Sequence, residues 1–227
     1  MDLLEVSELC KVYGSGDTAV EALKNVNFSV PKGELVAVVG ESGSGKSTLF
    51  NLIGALDTPT SGQIRIDGKD ILSLQDEPQT IFRRRNIGFI FQAYNLILEL
   101  DVEQNIIFPL LLDYRKPDPA YVEELLEVLN LKDRRHHLPW QLSGGQQQRA
   151  AIGRALITRP MLILADEPTG NLDTKNSQDV ITLLKTAALR YRQTILLITH
   201  NQNIAAAADR VLRISDGVLT DLGARKS

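Results

Sequence analysis

The stretch Gly40-Glu41-Ser42-Gly43-Ser44-Gly45-Lys46-Ser47 constrains this chain more than any other. It fits the spacing G-x-x-x-x-G-K-[ST]. It stands between an apolar run, Leu35-Val36-Ala37-Val38-Val39, and a segment with Leu49, Leu52, Ile53 and Leu56 at helical spacing. A buried strand, a glycine-rich turn and a helix in that order make a phosphate cradle. The glycines are needed because backbone N–H groups must converge on phosphate oxygens with no Cβ in the way. The helix N-terminus adds positive partial charge. The loop therefore predicts that Gly40, Glu41, Ser42, Gly43, Ser44 and Gly45 wrap a bound phosphate chain. Lys46 should reach the β- and γ-phosphates, Ser47 should place its hydroxyl on Mg²⁺, and Thr48 can bond another phosphate.

The flanking pattern is α/β. Val26–Val30 alternates as a half-exposed strand, Gln63–Ile66 with Asp67-Gly68 reads as a hairpin element, and Ile87–Phe91 as a further strand. Val102–Leu112 and Tyr121–Leu131 read as helices separated by the breaker Lys116-Pro117-Asp118-Pro119. Residues from about 88 to 158 thus form a helical insertion. Alternation then resumes, with strands Met161–Asp166, Thr194–Thr199 and Arg210–Ser215 and helices Thr174–Leu189 and Asn201–Ala207. Interleaved strands and helices imply a mostly parallel sheet with right-handed crossovers.

Charge excludes some functions. Lys plus Arg number 25 against 28 Asp plus Glu, a net −3, so the basic excess of a dedicated nucleic-acid binder is missing. The single cysteine, Cys10, has no partner for an internal disulfide and fits a reducing compartment. No apolar run approaches the roughly 18–20 residues that span a bilayer, and Met1-Asp2-Leu3-Leu4-Glu5 lacks the features of a signal peptide. A cytosolic chain is expected, with any membrane role exercised through a partner.

Two further segments carry chemistry. Met161–Ala165 is an apolar strand ending in Asp166-Glu167. Ligands of open α/β sheets bind at the C-terminal ends of parallel strands, so these carboxylates are expected beside the phosphate loop. Asp166 is the candidate to hold Mg²⁺ and Glu167 to polarise an attacking water. Leu142-Ser143-Gly144-Gly145-Gln146-Gln147-Gln148-Arg149 opens a helix. Ser143 is a natural N-cap, and the two glycines expose N–H groups at the positive helix end, a second anion site.

With that motif in place, the whole chain resembles the nucleotide-binding subunit of an ATP-binding cassette (ABC) transporter. The resemblance implies a P-loop ATPase fold spanning 1–227, with an antiparallel β subdomain and the helical subdomain set into the catalytic core. It implies ATP and Mg²⁺ as ligands, ATP hydrolysis, and Glu167 as catalytic base. Tyr13 matches the aromatic that stacks on adenine, Gln92 the glutamine that senses γ-phosphate and Mg²⁺, Asp173 the dimer-contact loop, and His200 the histidine on the γ-phosphate. It also implies a homodimer sandwiching two ATPs, in which Ser143, Gly144, Gly145 and Gln146 of one subunit face the nucleotide held by Lys46 of the other. A transmembrane permease is the implied partner, giving a peripheral place on the cytoplasmic side of the membrane and no contact with nucleic acid.

The dimer-contact loop reads Gly170-Asn171-Leu172-Asp173 where many relatives have Ser-Ala-Leu-Asp. This resembles the branch of macrolide exporters, lipoprotein-release systems and antimicrobial-peptide transporters, and so points to export or extraction. The rival reading is a regulatory ATPase that signals through a membrane partner to a cell-wall hydrolase. Chromosome-maintenance and translation-factor cassettes need a long coiled coil or two cassettes, which this chain lacks. Gly153, inside the helix after the Ser-Gly-Gly motif, costs up to about 1 kcal/mol of propensity unless close packing requires it. Adjacent His136 and His137 point apart and make a poor metal site. Trp140 is expected in the core, Arg83-Arg84-Arg85 at a solvated helix end, and part of Ala93–Phe108 against the permease.

Overall fold

The computed structural model describes residues 2–224; Met1 and Arg225–Ser227, the ends of the expected 1–227 domain, lie outside the described residues. The first half contains β1 (Asp2–Tyr13), β2 (Val20–Pro31), β3 (Leu35–Val39), α1 (Lys46–Ile53), β4 (Ser61–Ile66), β5 (Lys69–Asp70), α2 (Asp76–Asn86) and β6 (Ile87–Ile90). Three helices follow: α3 (Val102–Leu112), α4 (Pro119–Val128) and α5 (Gly144–Leu156). The last third is β7 (Leu162–Asp166), α6 (Thr174–Tyr191), β8 (Thr194–Thr199), α7 (Gln202–Ala205), β9 (Arg210–Ser215) and β10 (Val218–Ala224).

The strands form two sheets, β2-β1-β4-β5 and β10-β9-β3-β8-β7-β6. The first is antiparallel throughout; in the second only the β9–β10 pair is antiparallel. Strand alternation sorts the core into two faces. Val36 and Val38 of β3, Leu162 and Leu164 of β7, and Leu196 and Ile198 of β8 pack with α1 and the antiparallel sheet. Leu35, Ala37, Ile163, Ala165, Ile195 and Leu197 face the other way, onto α3 to α6. The runs that looked uniformly apolar are therefore strands buried on both faces, as a covered parallel sheet requires.

Several elements differ from expectation. β6 is an edge strand of the main sheet, so the helices of the stretch first placed at 88–158 occupy α3 to α5. β1 carries Glu8 at φ +51° and four register shifts, which break the alternation that would announce a strand. α1 stops at Ile53, and Leu56 beyond its Gly54 cap is exposed. Trp140 lies outside the core, 64 % exposed, because the turn Pro139–Gln141 buries Pro139 instead. Nor are the α2 arginines simply solvated: Arg85 Nε meets Asp113 Oδ2 at 2.8 Å and Arg83 Nη1 donates to the Ala55 carbonyl at 2.6 Å, stapling α2 to its neighbours.

Packing accounts for Gly153. A Cβ there would stand 2.6 Å from Leu129 Cδ1 and 3.0 Å from Ile106 Cδ1, both fully buried where α3 and α4 meet α5. Overpacking costs about 1–3 kcal/mol, against a propensity gain of at most about 1 kcal/mol. Gly153→Ala is thus expected to destabilise the chain by up to about 2 kcal/mol, read as a lower urea midpoint at unchanged slope; a higher midpoint would place the helix contact elsewhere.

Candidate active site

The parallel strands deliver the expected residues to one edge. Val39 pairs with Thr199, Asp166 with Ile198 and Ile90 with Ala165, so Gly40, Glu167, His200 and Gln92 all leave the same end of the sheet. There a cleft of about 850 Å³ is lined by Glu41, Ser42, Gly43, Gly45, Lys46, Ser47, Thr48, Gln92, Asp166, Glu167 and His200. Val20, Glu21, Ala22, Lys24, Asp216 and Gly217 complete its lining, and none of them was a candidate site residue.

The loop's glycines answer to close approach and to backbone geometry. A Cβ on Gly40 would run into the Ile214 carbonyl and lie 2.6 Å from Ser44 Oγ. Gly45 caps α1 at φ +109°, a left-handed conformation that glycine adopts without strain. The first intrahelical bond of α1 runs from Leu49 N–H to the Gly45 carbonyl, at 2.9 Å. The N–H groups of Lys46, Ser47 and Thr48 precede it and stay available for an anion. Gly217 N–H donates to the Ser44 carbonyl at 3.1 Å, tying the loop to the β9–β10 turn. Lys46, largely buried, donates through Nζ to the Gly40 carbonyl at 2.9 Å and the Glu41 carbonyl at 2.6 Å. Its ammonium therefore lies within the loop's own curve. Ser44 Oγ is buried without a hydrogen-bond partner among the described residues. A cradle that a Cβ would fill, lined by N–H groups and a lysine, suits a polyphosphate.

The carboxylates sit opposite. Burial holds the Asp166 carboxyl above its ordinary pKa, the Glu167 charge adds to this, and Lys46 opposes it. Glu167 has φ +44°, which turns the chain out of β7, and its N–H donates to the Ile198 carbonyl at 2.9 Å. Its side chain is gripped by the end of β8. His200 N–H donates to Oε1 at 2.8 Å, His200 Nδ1 lies 2.7 Å from the same oxygen, and Thr199 Oγ1 donates to Oε2 at 3.1 Å. Thr199 is fully buried and was not among the sequence candidates, although it directly precedes His200.

The remaining candidates are not among the residues that line this cleft. Ser143 caps α5 in a reciprocal box with Gln146: Ser143 N–H donates to Gln146 Oε1 at 2.9 Å and Gln146 N–H to Ser143 Oγ at 3.3 Å. A Cβ on Gly145 would lie 2.5 Å from Asn176 Oδ1, and one on Gly144 would lie 2.8 Å from Tyr94 Oη. Asp173 caps α6 by accepting from Asn176 N–H at 2.8 Å, which pulls its carboxyl below the ordinary range. Tyr13 lies beyond the cleft lining. Its hydroxyl donates to Asp57 Oδ2 at 2.8 Å, while Lys11 Nζ pairs with Asp57 Oδ1 at 2.8 Å and stands 4.6 Å from the ring centroid. His136 meets Asp101 and His137 meets Arg134, each away from the cleft.

Comparison with known proteins follows the same lines. A family model described as "ABC transporter" matches residues 23–170. The lipoprotein-releasing system ATP-binding protein LolD of Geobacter metallireducens is 46 % identical over 217 residues, covering 95 % of this chain and 96 % of that protein. The macrolide export ATP-binding/permease protein MacB of Hyphomonas neptunium is 46 % identical over 231 residues; they cover 99 % of this chain but only 35 % of that longer protein. A dimeric ATP-binding cassette, solved in a post-hydrolysis state with ADP and Pi, superposes with a TM-score of 0.86 at 39 % identity, covering 98 % of this chain and all of that one. The described residues include no helix long and apolar enough to cross a membrane. With its phosphate loop, strand-end carboxylates and Ser-Gly-Gly helix on this scaffold, the chain belongs to the ABC transporter family as an ATP-binding domain that hydrolyses ATP.

Proposed function

We propose that this chain is the ATPase subunit of a membrane exporter or extraction system, closing as a homodimer on ATP and passing that closure to a permease at the cytoplasmic face. The observation that carries the reading is the convergence of Lys46, Gln92, Asp166, Glu167 and His200 on one cleft. The lipoprotein-release and macrolide-export names of its relatives favour transport over signalling alone.

In this reading the N–H groups at the start of α1 and the Lys46 ammonium bind the β- and γ-phosphates and stabilise the negative charge that spreads over the γ-phosphoryl oxygens. Ser47, Asp166 and the Gln92 amide oxygen would hold Mg²⁺. These are the oxygen donors a hard cation takes, few enough to leave places for phosphate and water. Bound there, Mg²⁺ neutralises phosphate charge and fixes the chain's orientation. Glu167 takes the proton of the water whose oxygen attacks the γ-phosphorus as the bond to ADP breaks. His200 keeps that carboxylate aimed and faces the γ-phosphate. Tyr13 stacks on the base. Ser143, Gly144, Gly145 and Gln146 of one subunit cover the nucleotide of the other, and Asp173 lies at that contact. Because Ser143–Gly145 lie outside the cleft of their own chain, a facing copy completes the site.

Three tests follow from the geometry. Lys46→Ala removes a charged donor from the cradle and is expected to weaken ATP binding roughly 100-fold in a nucleotide titration; undiminished affinity would remove the loop from the site. Glu167→Gln should keep ATP binding and lower kcat by about 100-fold or more, accumulating a dimer on size exclusion with Mg-ATP; normal turnover would end the base assignment. The segment after Gln92 is the proposed permease contact, a reading supported by the exposure of Leu98, 57 % against a buried Val102. Leu98→Asp should leave nucleotide binding by the subunit intact and abolish stimulation by the copurifying membrane partner; intact stimulation would move the docking surface elsewhere.

A further inference from the structure

The Gly-Asn pair in the dimer-contact loop has a physical counterpart. Asn171 Nδ2 donates to the Gln92 carbonyl at 3.0 Å, and Gln92 Nε2 donates to Asn171 Oδ1 at 3.3 Å. One side chain thus binds both the backbone and the amide of Gln92. Its neighbour makes this possible, since a Cβ on Gly170 would stand 2.6 Å from Gln92 Nε2 and 2.9 Å from its Cδ. The φ of Gly170 lies outside the left-handed range, so what a side chain at 170 would disturb is the position of the Gln92 side chain. The turn that carries both residues starts at Glu167, whose carbonyl accepts from Gly170 N–H at 3.0 Å. It ends at Asp173, which accepts two bonds from Asn176, the residue packed on Gly145.

We propose that Gly170 and Asn171 form a latch that holds Gln92 to the turn bearing Glu167, which makes Asn171 a positioning residue for ATP hydrolysis. A serine and alanine at these two places would remove both bonds and push the glutamine away, so the two departures from the commoner motif act together. The latch needs both partners in place at once: the glycine gives room and the asparagine gives the bonds. Asn171 is not itself a lining residue of the cleft, and the lining residue its side chain bonds is Gln92, so the proposed action runs through Gln92. The catalytic part of the inference rests on reading Gln92 as the residue that faces the γ-phosphate.

The test uses the full chain and two variants, Asn171→Ala and Gly170→Ala, both at exposed positions whose change spares the core. Solvent exchange of the Gln92 side-chain amide protons, followed by NMR and identified by their loss in Gln92→Ala, reads the latch without nucleotide, because Gln92 Nε2 donates to Asn171 Oδ1. Asn171→Ala is expected to speed that exchange by about three- to tenfold while the backbone amides of β7 and β8 keep their protection. Unchanged exchange of the Gln92 side-chain amide overturns the latch. Steady-state kinetics read its purpose. Both variants should lower kcat by about three- to tenfold with KM for ATP within about twofold, and Asn171→Ala should add nothing to Gln92→Ala in a double-mutant cycle. Losses that multiply mean that Asn171 acts other than through Gln92 and overturn the proposal. Should Gln92→Ala itself turn over normally, the catalytic reading of Gln92 falls, and the exchange measurement still decides whether the latch exists.

Discussion

The register of the parallel strands is the constraint on which the site depends. Each catalytic candidate of the cleft follows a strand of the same sheet, and their alignment rests on backbone pairs such as Val39 with Thr199 and Asp166 with Ile198. A slip of one residue in β8 would turn Leu196 and Ile198 to the opposite face and withdraw His200 from Glu167. Burial on both faces prevents that slip, because alternate residues of β3, β7 and β8 are committed to two different cores. The apolar composition of these strands is thus a positional requirement of the chemistry as much as a source of stability.

Charge in the cleft is arranged around that frame. Asp166 sits where burial and a second carboxylate both raise its pKa, with Lys46 as counterweight. Such a carboxylate is poorly matched to an empty apolar setting and well matched to a cation bound beside it. Glu167 is treated differently. Its two oxygens accept from Thr199, the His200 amide and the His200 ring side, so its direction is set before any ligand arrives. Fixing a group in advance spares reorganisation during the reaction, the main service a protein offers to phosphoryl transfer.

Much of this was legible locally. β3, β8, β9 and α3 begin and end where apolar runs and caps place them, since each is bounded by a turn residue or capped by a side chain such as Asp101. The phosphate loop and strand-end carboxylates were legible because their function demands contiguous residues. What stayed hidden depends on tertiary contact. β1 lost its alternation to bulges, and β10 is an edge strand with half-exposed Val218 and Leu222. Trp140 looked like core material because size and apolarity say nothing about which way a short turn faces. The clasp of Asp57 on Tyr13 spans 44 positions and that of Asn171 on Gln92 spans 79, so neither leaves a local signature. The loop motif did register as unusual, but its approach to Gln92 is a tertiary contact that no local pattern carries.

The segment after Gln92 is pinned at its near end twice, by unrelated elements. Asn171 holds Gln92 from the turn after β7, while Arg154 of α5 donates to the Tyr94 carbonyl at 2.9 Å and the Asn95 carbonyl at 2.5 Å. Burial lowers the pKa of that guanidinium, and backbone carbonyls supply its partners, so the contact is expensive to break. Asn105, fully buried, then closes the far end by donating to the carbonyls of Ile97, Leu100 and Asp101. Between these anchors Leu98 faces outward. Any displacement of α5 relative to the turn after β7 must therefore be absorbed between Gln92 and Asn95. The Ser143–Gly145 motif rides on α5 and Glu167 begins that turn. The segment from Gln92 to Asn95 is accordingly the backbone that links the helix carrying Ser143–Gly145 to the turn that begins at Glu167.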